Sequence, residues 1–82
     1  MRVTVLYFAV ARERAGLASE PLELPALATA AQALDAIFAR HPGLAPLRDR
    51  LRLAVDQEFS PPDRALHEGA ELALIPPVAG GL

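Results

Sequence analysis

An α+β domain, in which one main helix covers a mixed sheet, is the fold class the sequence predicts. Three observations predict it: a β-branched and aromatic run at the start of the chain, a capped amphipathic segment in the middle, and an alternating apolar run near the end. The chain has 82 residues, 52% of them hydrophobic, which suits one small domain. A domain of this size buries roughly 60% of its unfolded surface, so it folds around a single core and a large active-site cleft is not expected. The absence of cysteine removes a disulfide staple, a cysteine nucleophile and a thiolate metal ligand together.

The elements follow in order. In Arg2 to Phe8, Val3, Val5 and Tyr7 alternate with Thr4, Leu6 and Phe8, which reads as a mostly buried strand. Ala9 to Gly16 holds Arg12, Glu13 and Arg14 before a glycine and reads as a short helical turn or loop. Arg12 and Glu13 by themselves read as an exposed ion pair, worth less than about 1 kcal/mol. A second strand is expected near residues 19–24, closing a hairpin with the first and placing Leu22 and Leu24 on one face. Thr29-Ala30-Ala31-Gln32 has capping-box spacing, with a hydroxyl placed for the third helical amide and a glutamine able to reach back. The main helix therefore runs over about 29–40. Leu34, Ile37, Phe38 and His41 fall on one face of it, and Pro42-Gly43 stop it. Leu44 to Arg50 reads as a further turn. Leu51 to Val55 alternates as a strand, Asp56-Gln57 offers a tight reversal toward Phe59, and a last strand is expected over 71–75. No internal repeat or second domain is apparent.

Several function classes are excluded on this basis. With a formal charge of −2 and few aromatic residues, the chain lacks both the basic footprint and the stacking platform of a nucleic-acid binder. Its longest apolar runs, such as Leu72 to Val78, are far below the roughly 20 residues of a membrane span. Met1 leads straight into the first strand without a signal-peptide pattern, so a cytoplasmic protein with no membrane partner is expected. All eight basic residues are arginine, so there is no lysine acceptor for isopeptide chemistry. Arg48, Arg50 and Arg52, interrupted by Asp49, read as a solvated face rather than a partner site. His41 and His67 have no ligand set beside them in sequence, and no metal is expected. Ser19 and Ser60 sit in no nucleophile elbow. A self-contained enzyme is not expected.

The informative segment is Ile75-Pro76-Pro77-Val78-Ala79-Gly80-Gly81-Leu82. Two prolines end sheet pairing and favour an extended path of about 3.1 Å per residue, giving a reach of about 15 Å from Pro77 to Gly81. Gly80 and Gly81 carry no Cβ, so this segment fits a narrow channel and can present a carbonyl to another protein. A frayed terminus is the competing reading.

At this point the chain resembles a known family, the small sulfur-carrier subunits of molybdopterin synthase (MoaD), within the ubiquitin-like β-grasp proteins. The resemblance rests on Tyr7-Phe8-Ala9 with Arg12-Glu13, on Ala54-Val55-Asp56-Gln57, and on the run from Gly69 through Leu72, Ile75 and Pro76-Pro77-Val78-Ala79 to Gly80-Gly81. It implies a β-grasp domain over 1–75, with a sheet of four to five strands, and an extended tail over 76–82. It also implies that Gly81, made accessible by Gly80, is adenylated by a ubiquitin-activating-like enzyme using ATP and is then thiocarboxylated from a sulfur donor protein. The tail would enter the large subunit of a heterotetrameric synthase and give its sulfur to cyclic pyranopterin monophosphate. No cofactor is implied on this chain itself.

Phe59 and Ile75 match positions where the family presents apolar side chains to the large subunit, and Pro76 to Ala79 would line the same contact. For Phe59 the alternative is a core position. Two other readings stay open: a related carrier serving thiamine or tRNA thiolation, and a ubiquitin-like binding module that is never activated. The Pro76-Pro77-Val78 lead-in and the chain length favour molybdopterin. The chain departs from the family pattern at Leu82, which holds the Gly81 carboxyl in a peptide bond. As written, the chain is expected to be inactive; Leu82 reads as a remnant of an expression tag, a residue removed by a peptidase, or the first residue of a junction to a fused partner.

Overall fold

The fold is built from β1 (Arg2–Tyr7), α1 (Ala9–Ala15), β2 (Ser19–Glu23), α2 (Ala30–Arg40), a 3-10 helix (Pro42–Arg50), β3 (Arg52–Val55), β4 (Glu58–Phe59) and β5 (Glu71–Ile75). This computed structural model describes residues 1–76. The sheet order is β2-β1-β5-β3-β4, with β1 and β5 parallel and the other neighbours antiparallel. The last strand of the chain is therefore the middle strand of the sheet.

Period-two patterning decides which side of each strand is buried. Val3, Val5 and Tyr7 of β1, Leu22 of β2, Leu53 and Val55 of β3, and Leu72 and Leu74 of β5 are all buried and face α2, which contributes Ala30, Ala33, Ile37 and Phe38 to the same core. The other side of β1 is open: Thr4 is exposed and Leu6 half-buried, so β1 is buried on one face rather than on most of both. Among the described residues, no second layer covers that side.

The capping box at Thr29 is formed: its hydroxyl accepts the Gln32 amide, and the Gln32 side chain accepts the Thr29 amide at 2.8 Å. Of the two readings of the segment after β1, the helical one holds: it is a helix of seven residues. It ends at Gly16, whose φ of 82° is the left-handed conformation that a residue without Cβ adopts without strain. Arg12 and Glu13 on it are both exposed, and no carboxylate pairs with Arg12 among the described residues, so the ion pair expected there is absent. What Arg12 supplies is a carbonyl, which accepts the Gly16 amide at 2.9 Å. Asp56 and Gln57, with φ of 50° and 73°, form the tight reversal between β3 and β4.

Candidate functional site

The chain leaves the sheet at Ile75-Pro76, and the register shows what surrounds that exit. Tyr7 pairs with Leu74 on one side, so the Phe8 that follows β1 lies beside the exit; Arg52 pairs with Ile75 on the other side. Pro76 is buried and, lacking an amide proton, ends the ladder there. Pro77, Val78, Ala79, Gly80 and Gly81, together with Leu82, lie outside the described residues.

On the open face, Ala54 pairs with both Ala73 and Phe59, and the next row holds Arg52 and Ile75. Phe59 is 55% exposed, which overturns the core reading of that residue. The Arg52 guanidinium lies 3.8 Å from the Phe59 ring centroid, a cation–π contact that links Ile75's cross-strand partner to the aromatic ring. Ile75 is half-buried and points away from Leu72 and Leu74. The two residues singled out from the sequence are thus on one face, with Arg52 between them. A shallow depression of about 220 Å³, lined by Leu34, Leu51, Leu53, Phe59 and Pro62 among others, adjoins this patch at the sheet edge.

Sequence reasoning missed two members of this surface. Arg52 was grouped with the solvated arginines, although in an alternating strand it shares a face with Ala54, and that signal was available. Phe8 is 46% exposed and was assigned to the first strand as part of its buried run. Its position just beyond the end of β1 places it outside the core.

A polar cluster braces the same end of the sheet from the helix side. Glu20 Oε2 accepts from the Tyr7 hydroxyl and pairs with His41 Nε2, each at 2.5 Å, while its Oε1 accepts from Arg40 at 2.9 Å. Tyr7 and His41 meet edge to face with ring centroids 5.5 Å apart. Burial pushes the Glu20 carboxyl up, but the hydrogen bonds from Tyr7, His41 and Arg40 outweigh it and hold the group below its ordinary value. Burial, and then the Glu20 carboxylate, push the Tyr7 phenol far up, so it remains a donor at any physiological pH. The cluster joins β1, β2 and the end of α2. Its members are thirteen and twenty-one positions apart, which is why no local motif announced it.

At the opposite end of the sheet Asp56 accepts the Glu71 amide at 3.0 Å and His67 Nε2 at 2.6 Å, while His67 Nδ1 donates to the Glu68 carbonyl. The backbone hydrogen bond first, and His67 second, hold the Asp56 carboxyl below its ordinary value. The Asp56 hydrogen bond raises His67 above its own. No group of three or more potential metal ligands is assembled among the described residues. No helix among them is long and apolar enough to cross a membrane.

A four-plus-one mixed sheet with parallel β1 and β5 at its centre, one helix on one face and the chain leaving from the middle strand, defines a β-grasp domain of the ubiquitin-like type. The ThiS family model matches residues 5–81. The chain belongs to this family, and within it groups with the molybdopterin synthase sulfur carrier subunits. It is 41% identical to the human molybdopterin synthase sulfur carrier subunit, covering 98% of this chain and 94% of that one. It is 40% identical to the Chlamydomonas reinhardtii protein of the same name, covering 99% and 100%. Among solved structures, it superposes on small archaeal modifier protein 1 of Haloferax volcanii with a TM-score of 0.90, at 30% identity over 99% of this chain and all of that one. The fold is also that of a chain from the complex of subunits 1 and 2 of the Helicobacter pylori molybdopterin-converting factor, with a TM-score of 0.70 at 23% identity, covering 99% of this chain and 100% of that one.

Proposed function

We propose that this chain is the sulfur-carrier subunit of a molybdopterin synthase in molybdenum cofactor biosynthesis, with the carboxyl of Gly81 as the group that carries sulfur. The observation that carries the reading is identity of about 40% to such carriers from end to end, with a family match that runs through Gly80-Gly81. The chemistry of the residues agrees. A carboxylate is a poor electrophile until it becomes a mixed anhydride, and this chain has no phosphate-cradling loop to bring that about. An activating enzyme therefore joins Gly81 to AMP and expels pyrophosphate. A sulfur donor then replaces AMP, and the thiocarboxylate delivers its sulfur to cyclic pyranopterin monophosphate in the large subunit.

The patch of Phe59, Arg52, Ile75 and Phe8 docks the large subunit, and Pro76 to Ala79 guide the tail into it. An exposed aromatic roofed by an arginine is the composition enriched at interface centres. Because Leu82 occupies the Gly81 carboxyl in a peptide bond, hydrolysis of that bond precedes activation. Intact mass of the protein from its native host, before and after incubation with activating enzyme, ATP and sulfur donor, tests this. A species ending at Gly81 that exchanges one oxygen for sulfur is expected, and a chain that is never modified would sink the carrier reading.

The likeness to a small archaeal modifier favours one second reading, in which Gly81 is joined to an amine of another protein. Conjugates of this chain to other proteins in native lysate, with no thiocarboxylate, would support it in place of the first.

A further inference from the structure

The arginines divide into two groups by partner. Arg2, Arg40, Arg48 and Arg64 each pair with a carboxylate, respectively Glu23, Glu20, Asp35 and Glu58. Arg12, Arg14, Arg50 and Arg52 are exposed, and none has a carboxylate within 4.0 Å among the described residues. These four come from three elements that the fold gathers at one place. α1 begins where β1 ends, beside the end of β5, and it packs against both β5 and the 3-10 helix. The 3-10 helix in turn ends at Arg50, and two residues later Arg52 holds the first position of β3, opposite Ile75.

The charge is unevenly distributed along the same axis. Residues 9–18 and 40–52, taken with the Glu20 and Asp35 that pair with Arg40 and Arg48, carry six arginines and four carboxylates, whereas residues 56–71 carry five carboxylates and one arginine. The second set lies at the other end, where Asp56 meets the start of β5. A molecule with a net charge of only −2 is thus a dipole, and its chain leaves the sheet from the cationic pole. Among the described residues, two of the three exposed large hydrophobic residues, Phe8 and Phe59, flank the same pole. Unpaired arginine beside exposed aromatic is the composition of a protein interface, not of a merely solvated face.

We propose that Arg12, Arg14, Arg50 and Arg52 form a cationic docking surface for an acidic protein surface, which orients the carrier so that the end bearing its C-terminal segment arrives first. For the identity of the partner this rests on the sulfur-carrier reading; for the surface itself it does not. Complementary charge at an interface rim acts mainly on association rate, and the effect fades as salt rises.

Two experiments test the proposal. In the first, amide chemical shifts of the full chain are followed as hexa-aspartate peptide is added. Perturbation confined to the surroundings of residues 12, 14, 50 and 52, and lost in Arg12→Gln/Arg14→Gln/Arg50→Gln, is expected. Perturbation elsewhere, or none, overturns the surface. In the second, association with the large synthase subunit is timed by stopped flow. Arg12→Glu/Arg14→Glu/Arg50→Glu is expected to slow association about tenfold at low salt with little change in dissociation, and Arg2→Glu/Arg64→Glu to leave it nearly unchanged. Equal slowing by both variants, or a rate indifferent to salt, overturns the steering. If the unaltered chain does not bind the large subunit at all, the sulfur-carrier reading fails, while the peptide titration still decides the surface. The substituted arginines are exposed except Arg64, which is half-buried, and thermal unfolding verifies that each variant is folded.

Discussion

Leu74 and Ile75 are neighbours in one strand, yet they belong to different molecules in the physical sense. Leu74 is fully buried between α2 and the sheet, whereas Ile75 lies half-buried on a face that no element among the described residues covers. The same division runs through the sheet: Val3, Val5, Leu72 and Leu74 line one side, and Leu6, Ala73, Ile75, Arg52 and Phe59 the other. The first side closes a core from within the chain. The second keeps apolar area in water.

Three substitutions sharpen that contrast. Leu74→Ala opens a cavity in the core and is expected to cost about 3 kcal/mol of stability, read from denaturant unfolding. Phe59→Ala and Ile75→Ala are expected to cost well under about half of that, but to weaken binding of the large subunit about tenfold, read by calorimetry. Unfolding by Phe59→Ala to the extent of Leu74→Ala would erase the distinction between the faces.

The next effect concerns the polar brace on the core side. Glu20 is held below 4.5 in the folded chain, so its stabilisation is complete above that value and is lost as pH falls through the lower folded one. Tyr7→Phe removes one donor, and is expected to raise the Glu20 pKa seen by carboxyl NMR and to move acid unfolding to higher pH. The smallest effect is at the far pole. His67 is raised above 6.5, so its contribution is complete below that value and fades as pH rises through the folded one. His67→Ala is expected to flatten the pH dependence of stability in that window, with little change at alkaline pH.

What was legible in the sequence follows the same division. The core side repeats with a period of two in strands and near 3.6 in α2, so the strands, the capping box at Thr29 and the reversal at Asp56-Gln57 could be placed from local pattern. At Ala9–Ala15 the sequence does not decide between a short helical turn and a loop, because the seven residues bury only Ala11 and present almost no periodicity. β1 was read as mostly buried because Leu6 and Phe8 are apolar. Hydrophobicity alone does not say whether an apolar residue faces its own core or a partner. The Glu20 cluster and the gathering of four arginines at one pole are set by tertiary packing, so no window of sequence contains them.

The central place of β5 also has a mechanical consequence. A pull on the chain beyond Pro76 runs along the strand axis, and its neighbours resist it on both sides, β1 in parallel and β3 in antiparallel register. The ladder is then loaded in shear, with its hydrogen bonds sharing the force, rather than opened one at a time as at a sheet edge. Pro76 contributes no amide to that ladder, so the load passes into the sheet at Ile75. A load applied beyond Pro76 is thereby taken up by the middle strand of the sheet and not by an edge strand.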